Sequence, residues 1–318
     1  MQRTGFALML LLTSQKGMSE GTLLQEERIK SRSLGAERTI RIYVPPSYDR
    51  EPKRRYPVLY LQDGQNVFSA AGTNCCFGWG NWELDRIVDE LIAAKRMEEI
   101  IMVAVHNSRS RYQEYRGPAY SPAKAELKRL KRKPQEAGDD NRFDKYGAFL
   151  TKELKRMIDR EYRTLPGAAH TAVVGSSLGG ICSLALAWEH PKTFGLTASL
   201  SGSFQIEKKH FLNLLQSYQR KPKPIRIYLD SGTIDFTGDD DGRKNTEAVA
   251  AALRRIGWKD NVNLKHFVDP RALSEPEMEQ AGLRRDKWAE ARKSQHNEFY
   301  WRLRAWRALV FLFPVNHS

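Results

Sequence analysis

The sequence predicts an α/β fold, with a mostly parallel central sheet flanked by helices. Three observations point there. Short apolar runs rich in β-branched residues alternate with segments of helical length, the pattern of strand–helix–strand units. The 318 residues are 41% hydrophobic, enough for one large core, and no shift in composition marks a second one. No internal repeat occurs, and no apolar stretch approaches the length of a membrane span.

Taken in order, residues 38–45 and 57–62 read as strands, 81–95 as a helix and 99–106 as a strand. An insertion at 117–143 precedes a helix at 144–160. A strand at 170–175, a helix at 178–189, a strand at 196–201 and a helix at 207–218 follow. Then come a strand at 225–230, a helix at 243–256 and a strand at 263–268. A second insertion, 271–295, is a candidate cap segment ahead of a last helix at 297–312. In such sheets ligands bind outside the carboxyl ends of the strands, so chemistry is expected in the loops that follow them.

One of those loops carries a motif. Thr171 to Val174 suits a buried strand, and Leu178 onward has helical length with many small residues. Between them "GSSLG", Gly175 to Gly179, has the form G-x-S-x-G, with Ser177 at its centre. In a nucleophile elbow the central residue sits strained at the tip of a sharp turn, and side chains at the flanking glycines would collide with strand or helix. The helix N-terminus then aims free amides at a developing oxyanion. Ser176 reads as a spacer, since the motif tolerates many residues there.

A serine nucleophile needs a base and an orienting acid, which in this fold follow it in the order serine, acid, histidine. Of the seven histidines, His106, His170, His190 and His210 come too early, His266 lies in a strand-like run, and His317 is next to last. His296, at a loop-to-helix junction in "SQHNEFYW", remains. The acid should follow the strand Ile225 to Leu229, where Asp230 stands at the strand end and Asp235 lies beyond a glycine turn. Asp235 is favoured, because a loop can carry it to the imidazole. The acidic run Asp239-Asp240-Asp241-Gly242 is no calcium loop: with Gly242 sixth, Thr237 stands first and Ala248 twelfth. It reads as a solvated turn into a helix. After the early strand, the turn Asp63-Gly64-Gln65-Asn66 is where a second oxyanion amide is expected.

Together "YLQDGQNVF", "GSSLGG", "SLSGSF", "DSGTID" and "HNEFYW" resemble the "Putative esterase" family of α/β-hydrolases, from about Arg38 to Pro314. That family includes enterochelin-esterase-like enzymes, feruloyl and acetylxylan esterases and S-formylglutathione hydrolases. The resemblance implies an α/β-hydrolase fold and a serine esterase, with Ser177 as nucleophile, Asp235 as acid, His296 as base, and Gln65 and Leu178 as oxyanion amides. The reaction expected is two-step acyl transfer through an acyl-enzyme on a small-molecule ester, with no metal or organic cofactor. An acyltransferase using the same triad, or a silent binding protein of this fold, is the alternative. Trp79, Trp82 and Arg111 follow core strands and are candidate substrate contacts, as is Trp288 just before His296.

The formal net charge is +14, and Lys124 to Lys133 holds six positive residues and one negative. No recognition motif or aromatic platform accompanies them, so the segment reads as a solvated helix rather than a specific nucleic-acid site. A lid reading would have it attract acidic substrates. Cys75 and Cys76 are adjacent and cannot easily bridge, and Cys182 lies on the elbow helix; three thiols without a framework favour a reducing, cytoplasmic compartment. Residues 1–17 form a signal-like or mis-started segment, with an apolar run from Phe6 to Leu12, which makes export the alternative; 18–318 reads as one α/β-hydrolase domain. The sequence is silent on oligomeric state.

Overall fold

The computed structural model of the chain describes residues 20–118 and 141–315. The segment 1–17, the basic run Lys124 to Lys133 and His317 lie outside the described residues. Among the described residues nine strands form one sheet: β1 (Thr22–Leu23), β2 (Glu27–Ser31), β3 (Ala36–Val44), β4 (Val58–Leu61), β5 (Ile101–Val105), β6 (Thr171–Ser176), β7 (Leu196–Leu200), β8 (Arg226–Ser231) and β9 (Leu264–Val268). Their order is β1-β3-β5-β4-β6-β7-β8-β9, with β2 also on β3. From β5 to β9 every pairing is parallel, and β1, β2 and β5 all pair antiparallel with β3. This is the α/β-hydrolase arrangement that the sequence predicts. The sequence reading gives the two edge strands β1 and β2 no bounds, taking residues 18–35 only as a first strand region. β2, "ERIKS", has one apolar residue and a largely exposed pattern, so it carries no burial signal of its own.

The core follows from the two-residue period of a strand. In β4, Val58 and Tyr60 face one side while Leu59 and Leu61 face the other; in β5, Ile101, Val103 and Val105 oppose Met102 and Ala104. Both faces are apolar because helices cover both. On the first face lie α3 (Arg142–Ala148), α4 (Lys155–Glu161), α5 (Ser177–Glu189), α6 (Ile206–Ser217) and α7 (Arg243–Ile256); on the second lie α1 (Leu84–Ala93) and α8 (Glu298–Leu312). Between α1 and α3, α2 (Arg111–Tyr115) follows the β5 loop. One continuous helix was expected at 144–160; instead a π-helical stretch, Phe149–Leu154, separates α3 from α4. The cap segment 271–295 holds short helices, Glu275–Gln280 and Trp288–Ala291.

α5 is buried almost all round, which its small residues allow. Where it leaves β6 the backbone turns hard. Ser177 has a φ of 52°, in the left-handed region that a non-glycine residue rarely occupies. A Cβ on Gly175 would stand 2.6 Å from the Gly179 carbonyl oxygen, and one on Gly179 would stand 3.0 Å from the Gln62 Cβ.

Gly175→Ala should therefore force strand and helix apart, lowering stability by about 1–3 kcal/mol and activity with it. Urea unfolding followed by circular dichroism checks the first. Leu309→Ala, which empties the opposite face between α8 and the sheet, should cost about 2–5 kcal/mol while leaving activity per folded molecule unchanged.

Candidate active site

The strained turn lifts Ser177 above the carboxyl edge of the sheet. Its Oγ lies 2.8 Å from Nε2 of His296, and Nδ1 of His296 lies 2.6 Å from Oδ1 of Asp241. With Nδ1–H given to the carboxylate, Nε2 is left to accept the serine proton. Ser176, in extended conformation at the end of β6, makes no such contact.

His296 enters from the loop before α8, and that loop is fixed to the loop after β8. The Gln295 amide N–H donates to the Ile234 carbonyl at 2.9 Å. The Gln295 side-chain oxygen accepts from the Thr233 amide at 2.7 Å and from its hydroxyl at 3.0 Å. Gly232 makes room for this, since a Cβ there would stand 2.6 Å from the Gln295 Cβ. Trp301, one turn into α8, meets the imidazole edge-on at 5.1 Å between centroids.

The acid facing His296 is Asp241, where the sequence favours Asp235. Asp235 is spent on its own loop: its Oδ1 accepts from the Thr237 amide at 2.8 Å, the Thr237 hydroxyl at 2.6 Å and the Asp239 amide at 3.0 Å. Such a loop-closing Asp turns its carboxylate inward to its own backbone. Nor is Asp241 part of a solvated turn, being only 1% exposed. Its φ is 55°, just ahead of Gly242 and α7. Its Oδ2 accepts from the Ser201 hydroxyl at 2.7 Å and the Gly232 amide at 2.5 Å. Burial alone would raise its carboxyl, but the His296 hydrogen bond and the Arg304 charge hold it below the usual range. The other contender, Asp230, is fully buried and does not reach the imidazole. Burial, set against Arg304 and helped by Asp241, pushes its carboxyl up to about 6.

Two cavities flank Ser177 and His296. One, of about 210 Å³, is walled by Gln62, Asp63, Asn66, Trp82, Arg111 and Glu298, among others. The second, of about 310 Å³, is walled on its far side by Ser203, Gln205, Asp235, Phe236 and Thr237. Asp63, at φ 54°, opens the turn after β4, and Arg111 grips its carboxylate at 2.6 and 2.7 Å while Asn107 adds a bond of 2.6 Å. Arg111 thus borders the cavity with its charge already matched. Gln65 does not border it; its side chain accepts from the Asn107 amide at 3.2 Å. Leu178, the residue after the serine, lies in the first turn of α5.

Of the aromatic candidates, Trp82 lines the first cavity. Trp79 and Trp288 do not border either cavity. Trp79 packs with Leu273, Met278 and Phe299 under the cap segment, and the Trp288 indole N–H donates to the Leu283 carbonyl at 3.0 Å. Trp79 thus ties the cap to the body of the protein, and the Trp288 bond lies within the cap. Glu298 was not among the sequence candidates. Burial raises its carboxyl above the usual range, and Asn66 donates to it at 3.4 Å.

Comparison with known proteins agrees with this architecture. Residues 31–304 match the family described as "Putative esterase". Uncharacterized protein YjcH of Bacillus subtilis (strain 168) is 26% identical over 212 residues, which are 66% of this chain and 72% of that protein. A ferulic acid esterase of known structure superposes with a TM-score of 0.64 at 16% identity, over 93% of this chain and 99% of its own. The enterobactin esterase of Shigella flexneri superposes with a TM-score of 0.61 at 16% identity, over 92% of this chain but only 59% of its own. The chain belongs to the "Putative esterase" family and is a carboxylic ester hydrolase of the α/β-hydrolase fold.

Proposed function

We propose that the chain hydrolyses esters through an acyl-enzyme on Ser177, with His296 as general base and Asp241 as the orienting acid. The observation that carries this is the unbroken line of hydrogen bonds from Asp241 through His296 to Ser177, at 2.6 and 2.8 Å. His296 Nε2 takes the Ser177 proton as Oγ attacks the ester carbonyl. The charge that develops on the carbonyl oxygen faces the amide of Leu178 at the start of α5, where the helix favours an anion. The C–O bond to the alcohol breaks, and the alcohol leaves with the proton from His296. Water, deprotonated by the same ring, then attacks the acyl carbon and frees Ser177 and the acid.

The substrate we infer is an ester of a hydroxylated aromatic acid. The cavity beside Ser177 combines a flat apolar wall, Trp82, with the hydrogen-bonding side chains of Asn66, Arg111 and Glu298. The ferulic acid and enterobactin esterases that share the fold carry names of the same chemical kind. A screen of methyl ferulate, a catechol trilactone and short p-nitrophenyl esters tests the inference. Faster turnover of the hydroxylated aromatic esters is expected, and a preference for plain aliphatic acyl groups would defeat it.

Ser177→Ala and His296→Ala should each lower kcat by roughly 10⁴-fold or more, and Asp241→Asn by about 10³- to 10⁴-fold. Asp235→Asn and Ser176→Ala should stay within about tenfold of the parent, because neither contacts the ring. A fluorophosphonate should label Ser177 alone, as read by peptide mass spectrometry. An unlabelled, folded protein would favour the binding-protein reading. Product analysis with added alcohol separates hydrolysis from acyl transfer.

A further inference from the structure

Beneath the Asp241–His296 pair lies a buried guanidinium that the mechanism above does not use. Arg304, two turns into α8, is 2% exposed and faces three carboxylates. Its Nη2 is 3.4 Å from Asp230 and 3.7 Å from Asp241, and its Nη1 is 3.9 Å from Asp269. It hydrogen-bonds none of them. Its Nε and Nη1 have no hydrogen-bond partner among the described residues, and Nη2 donates to the Ser201 hydroxyl at 2.6 Å.

That hydroxyl is the junction. A serine oxygen has two lone pairs and one proton. The Trp301 indole N–H also donates to Ser201 Oγ, at 3.1 Å, so Arg304 and Trp301 together fill both lone pairs. The serine proton then has one place to go, Oδ2 of Asp241 at 2.7 Å. Ser201 is itself locked at a φ of 45°, and its amide donates to Asp230 at 3.2 Å.

We propose, resting on the triad reading, that Arg304 is a positioning residue for the reaction: through Ser201 it fixes the orientation of Asp241, and it shares its charge between Asp241 and Asp230 so that the ionisation of Asp230 tunes the proton affinity of His296. The groups facing these residues are few. Arg304 meets Asp230 and Tyr228 from β8, Asp241 from the loop before α7, Asp269 beyond β9 and Arg307 on its own helix. Asp241 meets His296, Arg304, Ser201 and the Gly232 amide. Asp230 meets Arg304, Asp241, Ser201 and Tyr228. His296 meets Asp241, Ser177, Trp301 and, from the start of α8, the Glu298 carboxyl.

The signs follow from charge alone. Removing the guanidinium leaves the carboxylates unopposed, so the imidazolium is favoured and the acid limb of kcat/KM moves to higher pH. Removing the Asp230 charge does the opposite. A unit charge several ångströms away, at an effective dielectric of about 20, shifts such a limb by roughly one pH unit.

The experiment is the pH profile of kcat and kcat/KM on p-nitrophenyl acetate for Arg304→Met, Arg304→Lys, Ser201→Ala and Asp230→Asn. Arg304→Met should move the acid limb up and Asp230→Asn should move it down. Arg304→Lys, keeping the charge without the fork, should return the limb toward the parent while kcat stays low. Ser201→Ala should lower kcat about tenfold or more with KM unchanged. Limbs that stay in place in folded Arg304→Met and Asp230→Asn, with activity scaled down equally at every pH, would overturn the proposal. If Arg304→Met does not fold, Asp230→Asn and Ser201→Ala decide alone: a fixed limb in the first and unchanged kcat in the second reject it. Failure of the triad reading shows separately, as parental protein that a fluorophosphonate does not label at Ser177.

Discussion

The close approach of β6 to α5 is the constraint on which the site depends. A strand can pass directly into a helix there only if two positions have no side chain and a third accepts a left-handed backbone. Gly175 and Gly179 supply the first, and Ser177 at φ 52° is the third. A strained conformation of this kind costs about 1–3 kcal/mol and persists only where the surroundings over-determine it. Here they do. β6 is the central parallel strand, flanked by β4 and β7, and the helix it feeds is buried on nearly every side. The strain sets the serine oxygen above the sheet edge and leaves the first amides of α5 beside it.

Under that edge the protein keeps an unusual density of buried charge. Asp230, Asp241 and Asp269 surround one guanidinium. Two buried carboxylates and a half-buried third cannot all be matched by this single cation, and desolvation penalises each that stays ionised. The structure resolves this by unequal hydrogen bonding. Asp241 receives donors from Ser201, Gly232 and His296, so its carboxyl lies low. Among the described residues Asp230 has only the Ser201 amide and the Tyr228 hydroxyl as donors, at 3.2 Å each, and lies high. Two neighbouring aspartates thus differ in proton affinity because they differ in donors, and the one that gives up its proton more readily faces the imidazole.

Most of the fold was legible in the sequence, and the reason is physical. Strands covered on both faces must be apolar throughout, so β4 to β8 stand out as short runs of Val, Ile, Leu and Ala. β1 and β2, at the antiparallel edge, bury little and left no such trace. Ser177 and His296 were legible because local chemistry marks them, one by its flanking glycines and the other by its place before a capped helix, where Asn297 accepts from the Tyr300 amide at 3.2 Å. Asp241 was not. In "FTGDDDGR" three adjacent aspartates look alike, and what separates them is tertiary: Asp240 is half-buried, Asp239 exposed, and Asp241 enclosed by Ser201 and Gly232 from other loops. Its one local sign was its position directly before Gly242 and the start of α7.

Asp235 misleads for an instructive reason. An aspartate two or three residues past a glycine can as easily close its own loop as reach outward, and the choice depends on what the loop must hold. Here the loop from Thr233 to Asp239 has a second task, since Thr233 and Ile234 bind Gln295 and thereby fix the residue next to His296. Asp235 stiffens that loop by accepting from Thr237 and Asp239. It therefore acts on the base at one remove, by holding the backbone to which the histidine loop is tied. The three residues of the hydrogen-bonded line come from three separate loops. They meet because Ser201, Gly232 and Gln295 cross-link those loops immediately beneath the side chains that align.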